Sequence, residues 1–392
     1  MRTIDVVTTS RADYGILQPV LRRIQSDSAL RLRVLVSGSH LSPRFGSTVN
    51  TIERDGFEIG SRVDVLGASD TQEDTVNAMS RGVAGFGRHF ARSRPDLLVV
   101  LGDRFEMHSA ALAALPFRIP AAHIHGGELT AGAFDDALRH SITKLSHLHF
   151  VTTEEYARRV RQLGEEPWRI VVSGAPALDQ LRTVRLRSRE QLLEEFGLNL
   201  PEKFLLVTFH PATLDHSDPA EQAKTLFHAI EQTGLPALVT MPNADPGGQA
   251  IREVVHERTA ANSQIQTVET LGTEGYFSVM ALAAAMVGNS SSGIIEAGSF
   301  RLPVINIGSR QEGRVRGPHV IDVEPAAAAI LRGIRRALEP SFRASLAGTR
   351  NLYGEGVAAD RIVDRLKTTV LDAALVTKKF CDLRDLHIEF RR

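Results

Sequence analysis

Several residues of this chain have side chains that act as acids or bases in enzymes, and most of them lie close together in the sequence. The candidates are Asp103, His125, Glu128, Asp135 and His210. All but the last lie within about the length of a single β-α-β unit. Positioned carboxylates and imidazoles transfer protons to and from reacting groups. The pattern predicts an active site that moves a proton on carbon or breaks a bond to oxygen.

Two apolar runs place this cluster at one edge of a predicted sheet. The run Asp96–Leu101 leads to Asp103, and the short run Pro120–Ala122 leads to the histidines. Such runs are typical of buried parallel strands, and ligands bind at the carboxyl ends of the strands in open α/β sheets. We therefore expect two neighbouring strands to bring carboxylates and imidazoles to the same crevice.

Strand-like and helical segments alternate along the whole chain, with a break at Ser173–Pro176. This alternation predicts an α/β fold with two doubly wound, Rossmann-like domains whose parallel sheets face a central cleft. The charged segment Arg182–Glu195 is predicted to be a solvated helix. The predicted parts are an N-terminal domain in 1–175, a C-terminal domain in 176–356, a helix in 357–375 that packs back on the first domain, and a tail in 376–392.

A second cluster, Gly288–Gly293, has the sequence Gly-Asn-Ser-Ser-Ser-Gly and stands between a short predicted strand and a helix. Free backbone amides and hydroxyl groups at a helix N-terminus bind anions such as phosphate. Glu296, one turn into the helix, is expected to hold ribose hydroxyl groups. The alternative is a serine-rich helix cap. The predicted phosphate contacts are Ser290, Ser291 and Ser292.

Two arginines that follow predicted strands are further candidates for anion binding. Arg11 follows the first strand, and Arg310 lies in the segment Gly308–Gln311 after a late one. A guanidinium group can bind a phosphate through two parallel hydrogen bonds. The alternatives are a surface turn with Asp13 as helix cap for the first arginine, and an ordinary surface arginine for the second.

Composition narrows the classes of function. The chain has 392 residues and a formal net charge of +0, which argues against a general nucleic-acid-binding protein. Its single cysteine, Cys381, cannot form an intrachain disulfide, and the N-terminal sequence does not resemble a secretion signal. We expect a cytoplasmic protein with neither a nucleic-acid nor a membrane partner.

A metal site is an alternative interpretation of the first cluster, because His-x-His with carboxylates occurs in metallohydrolases. The chain has no stronger ligand motif such as His-Glu-x-x-His. We therefore predict neither a metal nor a cofactor. The residues that this alternative would use are His123, His125, Glu128, Asp135, Asp136 and His140.

The motifs together resemble those of the hydrolysing UDP-N-acetylglucosamine 2-epimerases of sialic and legionaminic acid synthesis, over roughly residues 3 to 370. The resemblance implies the two-domain GT-B fold, with UDP bound mainly by the second domain, and a homodimer or homotetramer. It also implies anti elimination of UDP to a 2-acetamidoglucal, followed by addition of water to give free N-acetylmannosamine. The matching segments are Thr9–Tyr14, Ser37–Leu41, Gly102–Phe105, His123–Glu128, Asp135–Lys144, His210–Pro211, Gly288–Gly293 and Pro303–Gln311.

The resemblance also suggests roles for individual residues. Asp103 and Asp135 match catalytic carboxylates, and His210 matches a catalytic histidine. A catalytic glutamate of some members aligns with His125, so either His125 or Glu128 takes its role here. The candidate nucleotide or substrate contacts are Arg11, His40, Arg104, Ser290, Ser291, Ser292, Glu296 and Arg310.

The substrate and three other functions stay open at this point. The histidine form is frequent among relatives that use 2,4-diacetamido sugars, so the sugar is N-acetylglucosamine or 2,4-diacetamido-2,4,6-trideoxyglucose, linked to UDP or GDP. One alternative function is a non-hydrolysing epimerase, although that family carries His-Val-Glu-Ala-Gly-Leu-Arg where this chain has His-Ile-His-Gly-Gly-Glu. The others are a GT-B glycosyltransferase and a non-catalytic protein that binds nucleotide sugars.

Overall fold

The chain forms two α/β units in a computed structural model that describes residues 1–67, 71–130, 134–211, 218–242 and 247–382. Unit 1 contains Met1–Glu128, Phe134–Arg182 and the chain from Tyr353 onward. Unit 2 contains Thr183–Leu352 and a short segment that begins at Leu129. The last ten residues of the predicted tail, 383–392, lie outside the described residues.

Each unit contains one parallel sheet, which confirms the predicted doubly wound class. The order in unit 1 is β3-β2-β1-β4-β5-β6-β7, and in unit 2 it is β10-β9-β8-β11-β12-β13. The strands are β1 Arg2–Thr8, β2 Leu30–Ser37, β3 Ile59–Val63, β4 Leu97–Leu101, β5 Ala121–Ile124, β6 Leu148–Val151, β7 Ile170–Val172, β8 Leu205–Thr208, β9 Ala237–Thr240, β10 Ile265–Val268, β11 Ala285–Gly288, β12 Val304–Ile307 and β13 Val320–Val323.

Helices connect the strands and cover the sheets. None within the described residues is both long and apolar enough to cross a lipid bilayer. The helices are α1 Arg11–Gln25, α2 Val49–Arg54, α3 Gln72–Arg92, α4 Phe105–Ala114, α5 Asp135–Leu145, α6 Glu154–Gln162, α7 Arg189–Phe196, α8 Pro219–Glu231, α9 Gly248–Ala261, α10 Gly272–Leu282, α11 Ser291–Ile295, α12 Ala327–Leu338, α13 Pro340–Ser345, α14 Ala358–Thr368 and α15 Ala373–Val376.

The central strands are buried along their whole length, so their side chains form the core and their carboxyl ends are held at fixed positions. All five residues of β4 are buried, as are all four residues of β5 and of β8. Strands buried on both faces need continuous apolar sequence. For this reason the apolar runs located the turns that carry the candidate residues.

The predicted helix over Arg182–Glu195 is wrong in its first half. Pro176–Arg182 is a 3₁₀ turn of unit 1, and the Gln180 side chain donates to the carbonyl of Gly15 in α1 at 2.8 Å. The helix α7 starts only at Arg189, because Ser188 forms a capping box with Gln191. This turn also explains why the chain leaves unit 1 after Arg182 and not at the predicted residue 175.

The C-terminal helix α14 packs beside α1 in unit 1. Arg23 of α1 donates to Asp360 of α14 at 2.9 Å, and Ile362, Val363 and Leu366 of α14 are fully buried. Burying three such aliphatic side chains stabilises the contact by several kcal/mol, at about 1.5–3 kcal/mol for each one. The end of the chain thus contributes to the core of the unit that carries the first cluster.

Candidate functional site

The turn after β1 is built around the buried carboxylate of Asp13. Both of its oxygens accept from the Thr9 backbone amide at 3.1 Å, and one accepts from the Thr9 hydroxyl at 2.6 Å. The cap of α1 is Ser10, which corrects the alternative that Asp13 is the cap. Arg11 is exposed at the first position of the helix, so its guanidinium group is accessible to an anion.

His40 lies completely buried beneath this turn. Its Nε2 is 3.0 Å from Thr8 Oγ1, and its Nδ1 is 2.6 Å from Thr48 Oγ1. Burial lowers the pKa of His40, so the ring is neutral at pH 7. Since hydroxyl groups occupy both ring nitrogens, the geometry favours a role for His40 in supporting the turn over a direct ligand contact.

The turn after β4 carries Asp103 and Arg104. The backbone bends at Gly102, whose φ of +71° lies in the left-handed region that favours glycine. Arg104 donates two hydrogen bonds to the buried carboxylate of Glu106, at 3.1 and 3.2 Å. A Cβ atom on Gly38 would lie 2.6 Å from that carboxylate, so glycine at this position lets the neighbouring turn close over Glu106.

The histidines of the first cluster have different surroundings. His123 is fully buried, with Nε2 2.7 Å from the Gly102 carbonyl oxygen and Nδ1 3.1 Å from Thr143 Oγ1. Burial lowers the pKa of His123 to about 3, so it is a neutral structural residue. His140 instead lies 3.4 Å from Asp136 along α5. Nowhere in the described ranges do three His, Cys, Asp or Glu side chains have an arrangement that could hold a metal ion.

His125 and Glu128 form a buried pair in the loop after β5. His125 has a φ of +64°, and its backbone amide donates to the Phe150 carbonyl at 2.9 Å. Its Nδ1 lies 2.8 Å from Glu128 Oε1, and an ionised carboxylate only accepts, so Nδ1 carries the proton. Its Nε2 is buried and has no hydrogen-bond partner among the described residues. That nitrogen is therefore available to take or give a proton.

Arg139 connects this pair to the turn after β4. One of its nitrogens donates to the His125 carbonyl at 2.9 Å and lies 4.0 Å from Glu128 Oε2, while another donates to Asp103. Arg139 is not among the residues predicted from the sequence, although a signal was present. It follows Asp135 by four residues, the spacing that puts two side chains on one face of a helix.

Asp135 is the first residue of α5 and is half-buried. Burial raises the pKa of Asp135, and the nearby charge of Asp103 raises it further, whereas Arg104 and Arg139 lower it. The two carboxylates are therefore close enough for their charges to interact. Enzymes use such pairs when one group must be ionised and its neighbour protonated.

In unit 2, the turn after β8 is fixed by Asn289. The amide of Asn289 exchanges two hydrogen bonds with the backbone of His210, each of 2.8 Å. His210 is buried, and its Nδ1 has no hydrogen-bond partner in the described part of the chain. Burial, together with the charge of Arg310, lowers the pKa of His210 to about 4. The imidazole is thus neutral at pH 7.

Asn289 also fixes the turn after β12. Its carbonyl oxygen accepts from Arg310 at 3.1 Å and from Gln311 at 2.9 Å. The preceding residue, Gly288, approaches the Thr208 carbonyl so closely that a side chain would collide with it. One asparagine thereby joins His210 and Arg310, a role that was not predicted from the sequence.

A chain of hydroxyl groups lies behind the serine cluster. Ser290 caps the short helix α11, and its Oγ lies 2.9 Å from Ser292 Oγ. Tyr276 Oη lies 2.8 Å from Ser292 Oγ and 3.2 Å from Thr208 Oγ1, which in turn is 2.8 Å from Thr240 Oγ1. Ser290 thus caps the helix, and phosphate binding by the three serines stays a prediction.

Glu296 ends α11 and has one buried carboxylate oxygen, Oε2, with no hydrogen-bond partner among the described residues. Burial raises the pKa of Glu296 to about 7, against a smaller opposite effect of Arg314. Buried polar groups without partners are rare in folded proteins. The unpartnered oxygen is consistent with a hydroxyl-bearing ligand at this position.

The candidate residues thus fall into two groups, one in each unit. Arg139 joins the acid–base residues of unit 1 to one another, and Asn289 joins His210 to Arg310 in unit 2. The group in unit 1 comprises Arg11, His40, Asp103, Arg104, His125, Glu128 and Asp135, and that in unit 2 comprises His210, Ser290, Ser291, Ser292, Glu296 and Arg310.

Comparison with known proteins adds the context of a family. Residues 22–367 match the model of the UDP-N-acetylglucosamine 2-epimerase family. The chain is 37% identical to the hydrolysing UDP-N,N'-diacetylbacillosamine 2-epimerase of Legionella pneumophila, over 96% of this chain and 99% of that protein. It is 39% identical to the hydrolysing GDP/UDP-N,N'-diacetylbacillosamine 2-epimerase of Campylobacter jejuni, over 82% and 84% of the two chains.

A likeness to solved structures extends to the whole fold. The crystal structure of UDP-GlcNAc 2-epimerase from Neisseria meningitidis bound to UDP-GlcNAc has a TM-score of 0.80 at 17% identity, over 94% of this chain and 100% of that one. This likeness, with the two parallel sheets, confirms the predicted GT-B-like fold.

Proposed function

Because the chain belongs to the UDP-N-acetylglucosamine 2-epimerase family, we propose that it is a hydrolysing 2-epimerase. It converts a UDP-linked 2-acetamido sugar and water into UDP and the free manno-configured sugar. The names of the relatives with 37% and 39% identity, both hydrolysing enzymes, support hydrolysis over an epimerisation that leaves UDP on the sugar. They also favour the 2,4-diacetamido sugar over N-acetylglucosamine as the substrate.

The observation that carries the proposal is that unit 1 contains two separate sets of acid–base side chains, which we assign as its two proton-transferring groups. One is the His125–Glu128 pair with its unpartnered Nε2, and the other is the interacting pair Asp103 and Asp135. Inversion at C2 requires that a proton leaves one face of the carbon and that another arrives on the opposite face. A single acid–base group serves one face only, so an enzyme of this kind needs two.

The reaction divides into two balanced steps. In the first, a base of unit 1 takes the proton from C2, a double bond forms between C1 and C2, and the C1–O bond breaks with its electron pair leaving on UDP. In the second, water adds its oxygen to C1 and gives up a proton to a base, while an acid protonates C2 on the opposite face. The products are UDP and the free sugar, and the proton count closes without a cofactor.

The nucleotide is assigned to unit 2. Ser290, Ser291, Ser292 and Arg310 donate to the diphosphate, and Glu296 accepts from the ribose hydroxyl groups. The neutral ring of His210, next to Arg310, contacts the leaving phosphate or the sugar as a hydrogen-bonding group. Positive and hydrogen-bonding groups around the diphosphate stabilise the charge that develops as the C1–O bond breaks.

Three residues of unit 1 complete the assignment. Arg11, exposed at the start of α1, and Arg104 provide positive charge for the phosphates or the sugar. His40 contributes indirectly, because its Nε2 contacts Thr8 just before the turn that carries Arg11, while its Nδ1 contacts Thr48. We also propose that the enzyme is a homodimer or homotetramer, as implied by its family.

A substrate panel tests the proposed function. The purified chain is incubated separately with UDP-N,N'-diacetylbacillosamine, its GDP-linked counterpart and UDP-N-acetylglucosamine, and the products are followed by ¹H and ³¹P NMR. The proposal predicts release of the nucleoside diphosphate with a free manno-configured sugar, fastest for the UDP-linked diacetamido sugar. A product that keeps the sugar on the nucleotide would establish the non-hydrolysing reaction, and an absence of any change would exclude both.

A further inference from the structure

Arg139 is a buried arginine that contacts both proton-transferring groups of unit 1. Its side chain is 4% exposed. It donates to the carbonyl of His125 at 2.9 Å and to the carboxylate of Asp103. Arginine keeps its charge at every pH at which a protein is folded. The same guanidinium group is therefore both a fixed positive charge and a mechanical link between the two groups.

The positive charges near Asp103 and Asp135 are unevenly distributed between these two carboxylates. Arg104, the other nearby cation, already donates two hydrogen bonds to the buried carboxylate of Glu106. Arg139 makes its direct ionic contact with Asp103, not with Asp135. The titratable groups that face this region are Asp13, Asp103, Arg104 and Glu106 from the turns after β1 and β4, His123, His125 and Glu128 from the strand and loop of β5, and Asp135, Asp136, Arg139 and His140 from α5.

We propose that Arg139 is a positioning residue that keeps Asp103 in its carboxylate form and leaves Asp135 as the carboxyl group that carries a proton. The inference rests on the proposed function. It gives the two members of the second proton-transferring group different roles, with Asp103 as the base and Asp135 as the acid. A cation bound to one member of a carboxylate pair favours the ionised form of that member. The remaining negative charge then favours the protonated form of its neighbour.

The pKa of Asp135 agrees with this division. Burial raises it, the charge of Asp103 raises it further, and Arg104 and Arg139 limit the increase. Asp103 is therefore poised to accept a proton and Asp135 to donate one. Because Arg139 also holds the carbonyl of His125, it fixes the distance between the carboxylate pair and the His125–Glu128 pair.

The chain offers a matched control for the mechanical part of this role. Arg159 of α6 donates to the carbonyl of Gly127 in the same loop, and it also contacts Glu155 and the ring of Tyr156 on its own helix. Loss of Arg159 removes an arginine–carbonyl bond from the loop without removing a charge from the carboxylate pair. A difference between variants at the two arginines therefore reports the electrostatic role of Arg139.

The test is a titration of aspartate side chains by ¹³C NMR in the full chain labelled at the aspartate carboxyl carbon. Asp103→Asn and Asp135→Asn assign the two signals. We expect the Asp135 signal to titrate above the ordinary range of aspartate in the unmodified protein. In Arg139→Gln, Asp103 loses the cation bound to it, so its signal should move to higher pH by about one unit or more. Arg159→Gln should titrate as the unmodified protein does. Equal titrations in the two variants, or a raised titration that belongs to Asp103 in the unmodified protein, would overturn the proposal.

A lysine variant allows the test to be made if Arg139→Gln does not fold, and the pH dependence of kcat/KM provides a second measurement. If circular dichroism shows that Arg139→Gln is unfolded, Arg139→Lys replaces it, with Arg159→Lys as its control. Lysine cannot reach Asp103 and the His125 carbonyl together, so a smaller shift in the same direction is expected. The acidic limb of the kcat/KM profile reports the group that must be ionised, so it should move with the titration of Asp103. If the unmodified protein releases no UDP, the proposed function fails, yet the titration still decides the role of Arg139.

Discussion

Asn289 and His210 exchange two hydrogen bonds of 2.8 Å, in which the asparagine amide accepts from the backbone amide of His210 and donates to its carbonyl. The carbonyl of Asn289 also accepts from Arg310. The position of a proposed catalytic histidine is thus set by one side chain from the neighbouring strand end.

Replacement of Asn289 should affect both stability and turnover. In Asn289→Ala, the buried backbone groups of His210 lose their partners, which costs about 1–3 kcal/mol in the free energy of unfolding. We expect kcat per folded molecule to fall by about 10- to 100-fold, because His210 is displaced. Asn306→Ala is the control, since Asn306 is a buried asparagine of β12 that donates to Asp322. Equal kcat in the two variants would contradict the role of Asn289.

Glu128→Gln should abolish most of the turnover while the protein stays folded. Glutamine keeps the size of the side chain and can still accept from His125, but it removes the charge that stabilises a protonated imidazole. We expect kcat to fall by about 10²- to 10⁴-fold with little change in KM. The matched control is Glu165→Gln, because Glu165 is a buried glutamate that lies 2.9 Å from His149. A Glu128→Gln variant with the kcat of that control would remove the pair from the mechanism.

We expect that removal of a hydroxyl group from the hydroxyl chain of unit 2 weakens nucleotide binding while the protein stays folded. Tyr276→Phe removes only the hydroxyl group that holds Ser292 and Thr208. Loss of the contact that positions Ser292, of about 1 kcal/mol, corresponds to about fivefold weaker binding of UDP, measured by isothermal titration calorimetry. Tyr156→Phe, which loses a contact of 3.0 Å to Tyr353 in unit 1, should bind UDP normally. An unchanged affinity for UDP in Tyr276→Phe would refute the supporting role of these hydroxyl groups.

The raised pKa of Glu296 should make the free energy of unfolding depend on pH. Its pKa rises from 4.5 to about 7 on folding, because burial disfavours the charged form. The folded state therefore holds a proton that the unfolded state releases, so the contribution to stability is full below pH 4.5 and is lost as the pH rises through about 7. Glu296→Gln should gain melting temperature relative to the unmodified protein between pH 5 and pH 8. The same difference at both pH values would show that Glu296 does not titrate in this range.

The sequence predicted the strands better than the surroundings of the residues that follow them. Apolar runs such as Asp96–Leu101 identify buried parallel strands, so the turns with Asp103 and His210 were located correctly. The edge strands β3 and β13 were missed, because only one residue of each is buried and their apolar signal is correspondingly weak. The helix α5 was missed as well, since Phe134 precedes it without a side-chain cap, and Arg139 was overlooked with it.

The different roles of His123 and His125 could not be predicted from a His-Ile-His segment. They depend on the left-handed backbone of His125 and on the hydrogen bond that its backbone amide donates to the carbonyl of Phe150 in β6. In the same way, the hydroxyl chain joins Thr208, Tyr276 and Ser292, which come from three segments that are distant in sequence. Such contacts arise from tertiary packing, which periodicity and local motifs do not encode.

In the proposed reaction, the sugar is released by cleavage of the C1–O bond with exchange of the proton at C2. The most direct test is a reaction of UDP-N,N'-diacetylbacillosamine in deuterated water enriched in ¹⁸O, with mass spectrometry and NMR of both products. We expect UDP without ¹⁸O, and a free manno-configured sugar with deuterium at C2 and ¹⁸O at C1. Incorporation of ¹⁸O into UDP, or a free sugar that retains hydrogen at C2, would contradict it.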